Sequence, residues 1–321
     1  MIVDVNTRIW DSPEQLGPAM ARRLRTDAEG PWALPDASGE AHDEAMRPAA
    51  YAFLFGVESK LQGASIPVQR IADHVRRCPS KYLGVAGIDP TTDGALDKVD
   101  QAVGLGLHGV LVSPTNQGFH PTHSRALRLY EQCHRHGLPL FVDLSCLVPS
   151  AMMEFARPHL LDAVAREFPT LRLVVQGMGD PFIDEALTLV GKHEHAYTDI
   201  CGLTHRPKVL YNALILAHQC GLTHRILLGT GFPFSTPERT IITVYSLNSL
   251  IQGTNLPTIP REHLRSIVER DALACLNIPY PKGGVVPSSA TCSTPAEPPV
   301  RHTWEVDTIR QSSAARGASR K

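Results

Sequence analysis

The chain has 321 residues, of which 43% are apolar and 20% are charged, and its 31 basic side chains nearly balance its 32 acidic ones. A formal net charge of -1 gives no electrostatic reason to expect nucleic acid or an anionic membrane surface as a partner. No apolar run approaches the roughly 20 residues that a membrane-spanning helix needs, so we expect no membrane contact.

Cysteine usage indicates a reducing compartment. The seven cysteines are odd in number and include no C-x-x-C pair, which argues against a disulfide framework or a zinc cluster. The first apolar segment is interpreted as a barrel strand, so we expect no signal peptide. We therefore expect a cytoplasmic protein, and the sequence leaves open whether it forms homo-oligomers.

Eight short apolar segments alternate with helical patterns along the chain. They are rich in β-branched residues, as are strands buried on both faces of a parallel sheet. The predicted strands are "IVDV" at 2, "YAFLFGV" at 51, "YLGVAGI" at 82, "HGVLVS" at 108, "PLFVDLS" at 139, "LRLVVQG" at 171, "HAYTDIC" at 195 and "RILLGTG" at 225. Eight β-then-α units predict an α/β fold, the (β/α)8 TIM barrel, over residues 1–280. A doubly wound sheet is the alternative, but its Gly-rich first turn is missing.

Two segments fall outside this alternation. Residues 11–50 form a long connection after the first strand, and its start, "DSPEQLGPAMARRLR", predicts a helix that begins near Ser12 and Pro13. The rest of it, residues 26–50, is predicted to be a mobile loop that covers the barrel mouth as a lid. The alternative is that Trp32 and Leu34 pack into the mouth and plug it. Residues 281–321 are rich in Pro, Ser, Ala and Gly and are predicted to be a disordered tail.

Several stretches resemble, in order and spacing, motifs of the amidohydrolase-related family, the group that includes aminocarboxymuconate-semialdehyde decarboxylase. They are "IVDVNTRIW" from Ile2, "GLHGVLVSPTNQGFHPTHSRALRLYEQCHRHGLPLFVDLS" from Gly106, "LVVQGMGDPFIDEALTL" from Leu173, "LLGTGFPFSTPE" from Leu227 and "IVERDALACLNIP" from Ile267. The resemblance implies a barrel of the metal-dependent hydrolase superfamily, with hydrolase or decarboxylase chemistry at the C-terminal ends of its strands.

The resemblance also implies five metal-ligand positions, and this chain differs from the family at each of them. The two strand-1 histidines correspond to Asn6 and Arg8, the strand-5 histidine to Asp143, the strand-6 histidine to Gln176 and the strand-8 aspartate to Gly231. A zinc site needs roughly three or four converging N, O or S donors. Arg8 has only donor N–H groups and a permanent positive charge. We therefore expect no metal cofactor; the alternative is one divalent metal such as Zn²⁺ in a site that this correspondence places wrongly.

The remaining candidates lie at strand ends and in the loops that follow them. Asp143, Arg8 and Asp199 are candidate catalytic residues, and Asn116, His120 and Thr230 are candidate substrate-binding residues. Cys146 and Cys201 follow strands 5 and 7, where a cysteine nucleophile is an alternative, although no histidine is visibly arranged to activate either thiol.

Taken together, these residues predict an amidohydrolase-related barrel that has lost its metal centre: a pseudoenzyme, or a barrel that binds a small-molecule anion. The alternative is a hydrolase or carboxy-lyase, metal-independent or with an atypical site, acting on a small carboxylate or a lactone-like substrate. In either case we expect Arg8 and Asp143 to form a bidentate ion pair across the former metal site. Asn6 and Gln176 are expected to satisfy the remaining donors and acceptors of that pair.

Overall fold

Eight parallel strands form the centre of the molecule, as the sequence predicts. The computed structural model describes residues 1–26 and 33–286. The barrel strands, in chain order, are β1 (Val3–Thr7), β2 (Tyr51–Phe55), β5 (Tyr82–Gly87), β6 (Val110–Val112), β7 (Leu140–Val142), β8 (Leu173–Val175), β9 (Ala196–Asp199) and β10 (Ile226–Leu227), and each pairs in parallel with the next. Between β2 and β5, a short antiparallel hairpin of β3 (Val57–Ser59) and β4 (Ala64–Ile66) leaves the barrel.

Backbone hydrogen bonds between the first and last strands nearly close the barrel. Val5 N donates to Leu228 O at 2.8 Å, Gly231 N donates to Asn6 O at 2.8 Å, and Arg8 N donates to Phe232 O at 2.9 Å. These bonds bring the end of β1 beside the segment that follows β10. The interior is filled by large apolar side chains such as Phe53, Phe55 and Phe141, so the barrel is a packed core whose polar chemistry lies at its mouth.

Helices surround the barrel and cover the outer faces of its strands. They are α1 (Pro18–Thr26), α2 (Gly39–Ala45), α3 (Val68–Arg77), α4 (Ala95–Gly104), α5 (Pro114–Gln117), α6 (Ser124–Arg135), α7 (Asp162–Glu167), α8 (Ile183–Lys192), α9 (Pro207–Gln219), α10 (Pro237–Ser246), α11 (Arg261–Val268) and α12 (Ala272–Leu276). Their buried side chains recur at helical spacing, as Ala126, Leu129 and Cys133 do on α6. Among the described residues, no helix is long and apolar enough to cross a membrane.

The connection after β1 differs from its prediction in two ways. The helix expected from Ser12 is divided, because Gly17 has a φ of 91° and separates a short 3-10 turn, Pro13–Leu16, from α1. The loop predicted over residues 26–50 contains α2, whose start is capped by Ser38 Oγ, which accepts a hydrogen bond from Ala41 N at 3.2 Å. The prediction of loop structure throughout this segment is therefore wrong.

The lid over residues 26–50 stays a prediction, because none of its described residues lines the cavity at the barrel mouth. Leu16 and Met20 from this connection, together with Trp10, line the cavity at the barrel mouth. The alternative expectation, that Trp32 and Leu34 plug the mouth, does not hold for Leu34, whose side chain is exposed. Trp32 lies outside the described residues, as does most of the predicted tail, from residue 287 onward.

Candidate functional site

A cavity of about 240 Å³ opens at the C-terminal ends of the barrel strands. Its polar floor contains Arg8, Asp143 and Gln176, which follow β1, β7 and β8. Its walls are largely apolar, and the side chains there include Trp10, Leu16, Met20, Leu144, Leu147 and Phe234. The cavity therefore combines a charged end with an apolar body, at the end of the barrel where enzymes of this fold place their active sites.

Arg8 forms the ion pair with Asp143 that the sequence predicts, although in a looser form. The Nη2 atom of Arg8 lies 3.6 Å from Asp143 Oδ2, and the two side chains are 20% and 21% exposed. The same Nη2 donates a hydrogen bond to Gln176 Oε1 at 3.0 Å. The pair is thus confirmed, but the expected bidentate geometry is wrong, because Gln176 takes the hydrogen bond that was assigned to the carboxylate.

The Asp143 carboxylate is oriented by its own backbone turn. Its Oδ1 accepts a hydrogen bond from Ser145 N at 2.9 Å, which leaves Oδ2 directed toward Arg8. Gln176 is similarly half engaged: its Oε1 accepts from Arg8, whereas its buried Nε2 has no hydrogen-bond partner among the described residues. A buried amide N–H without an acceptor is costly, so this donor is available to a ligand acceptor in the cavity.

Asn6 does not join the Arg8–Asp143 pair, contrary to expectation. Its side chain is fully buried, and its Nδ2 donates to Asp199 Oδ2 at 3.3 Å. Neither Asn6 nor Asp199 lines the cavity. The reason is the geometry of the strand ends, which directs Asn6 toward β9 and only Arg8 into the mouth.

Asp199 connects the turns that follow two strands. Its Oδ1 accepts hydrogen bonds from Gly177 N and from Cys201 N, each at 2.8 Å. Burial raises the pKa of Asp199 to about 6, although these backbone bonds favour its ionised form. The candidate catalytic group Asp199 is therefore a buried anchor beneath the cavity.

Gly231, which the resemblance aligns with the family's strand-8 aspartate, has little room for a side chain. Gly231 has a φ of +72°, and a Cβ placed there would lie 2.7 Å from Cys201 Sγ. Burial raises the pKa of the Cys201 thiol well above its usual value, so this cysteine is not a thiolate nucleophile. Cys146 is exposed as a whole residue, but partial burial of its thiol, followed by the charge of Asp143, raises its pKa.

Thr230 lines the cavity, but its hydroxyl is already engaged. Thr230 Oγ1 donates to Asp4 Oδ2 at 2.6 Å, and its backbone N donates to Asp4 Oδ1 at 3.0 Å. Burial raises the pKa of Asp4 to about 7, against the opposing effect of these hydrogen bonds. The Asp4–Thr230 contact therefore fastens β1 to the segment after β10, a role that the sequence did not indicate.

The other predicted binding residues are divided between the cavity and the surface. Asn116 lines the cavity, with its Nδ2 donating to Ser113 Oγ at 2.9 Å. His120 does not line it, and its ring lies 2.8 Å from Thr122 Oγ1 on the exposed surface. His205, which was not predicted, does line the cavity; its Nε2 is buried and has no partner in the described part of the chain. Burial, followed by the charges of Arg239 and Arg206, lowers the pKa of His205 and favours its neutral ring.

A second polar cluster lies away from the cavity and was not anticipated. His42 Nδ1 on α2 lies 3.1 Å from His74 Nε2 on α3, and His74 Nε2 lies 3.4 Å from Asp43 Oδ1. Both rings are fully buried. Burial lowers the pKa of His42 to about 3, with His74 as the next cause, and burial also lowers the pKa of His74. None of the three residues lines the cavity.

The floor of the cavity does not fit the divalent metal of the family. A metal there would be repelled by the permanent positive charge of Arg8. The amide oxygen Oε1 of Gln176 could serve as a neutral metal ligand, but it already accepts a hydrogen bond from the Arg8 guanidinium. Asp143 Oδ2 is the carboxylate oxygen that faces this point, while Gly231 supplies no side chain. One carboxylate beside a guanidinium does not supply the three or four donors that a transition metal needs.

Comparison with known proteins agrees with this architecture. The chain matches the amidohydrolase family model over residues 3–259. No functionally curated protein matches it by sequence. An uncharacterised TIM-barrel protein from Bordetella bronchiseptica superposes with a TM-score of 0.68 at 20% identity, over 86% of this chain and 99% of that one.

Two further neighbours contain metals. A dihydroxybenzoic acid decarboxylase from Polaromonas sp. JS666, with bound manganese and the inhibitor 2-nitroresorcinol, superposes with a TM-score of 0.61 at 14% identity, over 86% of this chain and 96% of that one. An amidohydrolase from Burkholderia multivorans with bound zinc gives a TM-score of 0.62 at 13% identity, over 87% of this chain and all of the other. At these identities the superpositions establish the shared barrel, and the family model, which spans most of the sequence, shows that this chain belongs to the amidohydrolase family.

Proposed function

We propose that this chain is an amidohydrolase-family barrel without a metal at its mouth, and that the mouth cavity binds a small carboxylate. The observation that carries the proposal is the position of Arg8, which directs a guanidinium to the floor of the cavity between Gln176 and Asp143. A guanidinium and a divalent cation exclude each other at one point, whereas a guanidinium and a carboxylate attract each other.

The hydrogen-bonding capacity of the floor supports an anionic ligand. Gln176 Nε2 is a buried donor without a partner among the described residues, and Arg8 has further N–H groups beyond the Nη2 that contacts Gln176 and Asp143. A carboxylate has two oxygens that accept several hydrogen bonds. One carboxylate would therefore accept hydrogen bonds from both Gln176 and Arg8 at once. A water molecule or an apolar ligand would satisfy fewer of these donors.

The Asp143 carboxylate sets a limit on the ligand. Because Oδ2 of Asp143 lies only 3.6 Å from Arg8, a second anion shares the guanidinium with it. A ligand hydroxyl beside the carboxylate would donate to Asp143 and relieve the repulsion between the two anions. The best ligand is therefore a monocarboxylate that carries a neighbouring hydroxyl group.

The walls define the rest of the ligand. Trp10, Leu144 and Phe234 belong to an apolar lining that favours a ring or a branched apolar body. The cavity volume of about 240 Å³ lies below the roughly 300–1,000 Å³ of sites for drug-sized molecules. A single-ring acid fits these dimensions.

Catalysis on such an acid is the second candidate function. Asp143 is 21% exposed toward the cavity, and both it and Arg8 would touch a bound carboxylate or lactone. A hydrolase or carboxy-lyase that works without a metal would use Asp143 for proton transfer and Arg8 to hold the negative charge. This candidate keeps the reaction class of the family and requires only groups that line the cavity.

Thermal unfolding with added acids tests the binding proposal. Chelator-treated protein is heated with benzoate, 2-hydroxybenzoate or citrate, and with benzyl alcohol as a neutral control. A ligand at about 100 times its Kd stabilises the folded form by ~2.7 kcal/mol, which raises Tm by several degrees. We expect the largest increase with 2-hydroxybenzoate and none with benzyl alcohol.

Two variants assign the effect to the cavity. Arg8→Gln should abolish the increase in Tm, whereas Arg22→Gln, which removes an exposed arginine of α1, should keep it. Equal stabilisation of the Arg8→Gln variant, or no stabilisation of the wild type by any of the three acids, contradicts the proposal. Release of carbon dioxide or hydrolysis products during the same incubations would favour the catalytic candidate.

A further inference from the structure

We propose that His42, Asp43 and His74 bind one divalent transition-metal ion, Zn²⁺ in particular, at a site outside the barrel mouth. The three residues lie on α2 and α3, and their ligand atoms all lie within 4.8 Å of one another. Imidazole nitrogens and a carboxylate oxygen are common zinc ligands. No residue of this set belongs to the cavity described above.

The distances between the three ligand atoms match those between ligands around a zinc ion. Two ligands at about 2.0–2.1 Å from a tetrahedral zinc lie about 3.3 Å apart. His42 Nδ1 and His74 Nε2 are 3.1 Å apart, and His74 Nε2 and Asp43 Oδ1 are 3.4 Å apart. A metal thus requires only a small outward movement of three groups that already converge.

The surroundings of His42 fix the tautomer that a metal needs. Thr7 Oγ1 donates to Phe53 O at 2.6 Å, so its lone pairs accept the proton on His42 Nε2, 3.0 Å away. The Nδ1 lone pair of His42 is therefore directed toward His74 and Asp43. Metal-binding histidines are typically oriented in this way by a hydrogen bond at their other ring nitrogen.

Asp43 completes the set from the solvent side. Its Oδ1 accepts a hydrogen bond from Tyr82 Oη at 2.7 Å, and its Oδ2 lies 2.9 Å from Arg77 Nη2. The side chain is 34% exposed, which gives an ion a path to the two buried rings and leaves space for water as a fourth ligand. Arg77 competes for the carboxylate, so its removal should strengthen metal binding.

Without an ion, the same atoms form a hydrogen-bonded chain. His74 Nε2–H then donates to His42 Nδ1, and His42 Nε2–H donates to Thr7. Metal binding requires the neutral His74 ring to carry its proton on Nδ1 instead of Nε2, with no net change in protonation. Because α2 and α3 supply the ligands, the ion would fasten the connection after β1 to the barrel wall.

Zinc titration of the chelator-stripped full chain tests the site. Bound metal is measured by elemental analysis after gel filtration, and Co²⁺ is used as a coloured probe whose visible absorption reports tetrahedral coordination. The variants are Asp43→Asn, Arg77→Gln and Asp143→Asn, with Asp93→Asn as a matched control because the Asp93 side chain is fully exposed. Circular dichroism and metal-free Tm values establish that each variant is folded.

We expect about one equivalent of zinc in the wild type, in Asp93→Asn and in Asp143→Asn. Asp43→Asn should bind at least about tenfold more weakly, and Arg77→Gln more tightly than the wild type. A wild type that retains no zinc overturns the inference, as does an Asp43→Asn variant that retains a full equivalent. Zinc that is lost in Asp143→Asn but kept in Asp43→Asn would place the metal at the mouth and would contradict the proposed function as well.

Discussion

Two polar clusters lie on opposite sides of the end of β1, and their chemistry is opposite. At the mouth, Arg8 contributes a permanent cation beside Asp143 and the amide of Gln176. Outside the barrel, His42 and His74 contribute neutral rings whose lone pairs meet near Asp43. We propose that the mouth suits an anion, although the resemblance implies a metal there, and that the outer cluster of His42, Asp43 and His74 suits a metal.

The difference shows that the position of a residue in a fold does not determine its chemistry. Both clusters have a carboxylate, and their neighbours decide what that carboxylate can do. Asp143 faces a guanidinium in an open cavity, so small organic ions can reach it. Asp43 faces two buried rings that only a bare ion or water can reach.

The largest expected effect concerns Gly231, which lines the cavity at the mouth. Gly231→Ala should destabilise the fold by about 2–4 kcal/mol, because it adds a clash with Cys201 to the strain of a positive φ. Gly221→Ala is the matched control, since Gly221 has a φ of +70° but an added Cβ there would meet no neighbouring atom within 4 Å, and it should cost only about 1 kcal/mol. Chemical denaturation measures both values.

Cys201→Ala should recover part of the loss in the Gly231→Ala background, because it removes the sulfur that the new Cβ meets. Equal costs at Gly231 and Gly221 would mean that the mouth has room for a side chain there. In that case the lack of space at Gly231 would not be a reason why the mouth has no side chain at this position.

The next effect is a pH dependence of the folding stability, which is caused by the buried carboxyl group of Asp4. Asp4 has its pKa raised from 3.8 to about 7 in the folded protein, so the folded state binds its proton more tightly than the unfolded state. This contribution to stability is fully present below about pH 4 and is lost as the pH rises through 7. Asn at this position imitates the protonated carboxyl and does not titrate.

Asp4→Asn should therefore gain stability relative to the wild type by about 3 kcal/mol between pH 4 and pH 7. The difference between the two proteins is the informative quantity, because His42, with its pKa lowered to about 3, gives the wild type an opposite slope over much of this range. Urea unfolding at four pH values measures it. A constant difference would show that Asp4 is ionised throughout, and that its hydrogen bonds with Thr230 outweigh the effect of burial.

The smallest expected effect is the coupling free energy between Arg8 and Asp143, the ion pair at the mouth. With the side chains about one-fifth exposed and 3.6 Å apart, the Arg8–Asp143 pair lies between surface pairs, worth about 0–1 kcal/mol, and buried pairs, whose disruption costs about 3–5 kcal/mol. A double-mutant cycle with Arg8→Ala and Asp143→Ala should give a coupling of about 1 kcal/mol. A coupling of zero would mean that the two charges are independently hydrated.

The barrel and the residues at its mouth could be predicted because they depend on local patterns. The eight apolar segments and the order of the motifs place Arg8, Asp143 and Gln176 at the C-terminal ends of three barrel strands, and in the fold all three line the same cavity. The hydrogen bond of Gln176, by contrast, depends on side-chain rotamers. No pattern in the sequence ranks Gln176 above Asp143 as the closest partner of Arg8.

The His42–Asp43–His74 cluster could not be predicted, because it depends on how two helices pack. His42 and His74 are 32 residues apart, on the two different helices α2 and α3, and the sequence predicted a loop where α2 lies. Ser38, a standard N-cap residue, was the available signal for α2, but the flanking glycine and prolines favoured a loop interpretation. Likewise, the separation of Asn6 from the Arg8–Asp143 pair results from the direction of one strand end, which the sequence motifs do not specify.

We propose that the mouth of this barrel holds an arginine-centred anion site in place of a metal. The most direct test is elemental analysis of the Asp43→Asn protein after dialysis against a chelator, since that variant removes a ligand of the outer cluster and leaves the mouth intact. We predict no stoichiometric zinc, manganese, iron or cobalt. About one equivalent of any of these metals in that variant would contradict the claim and would restore a metal-dependent hydrolase or decarboxylase.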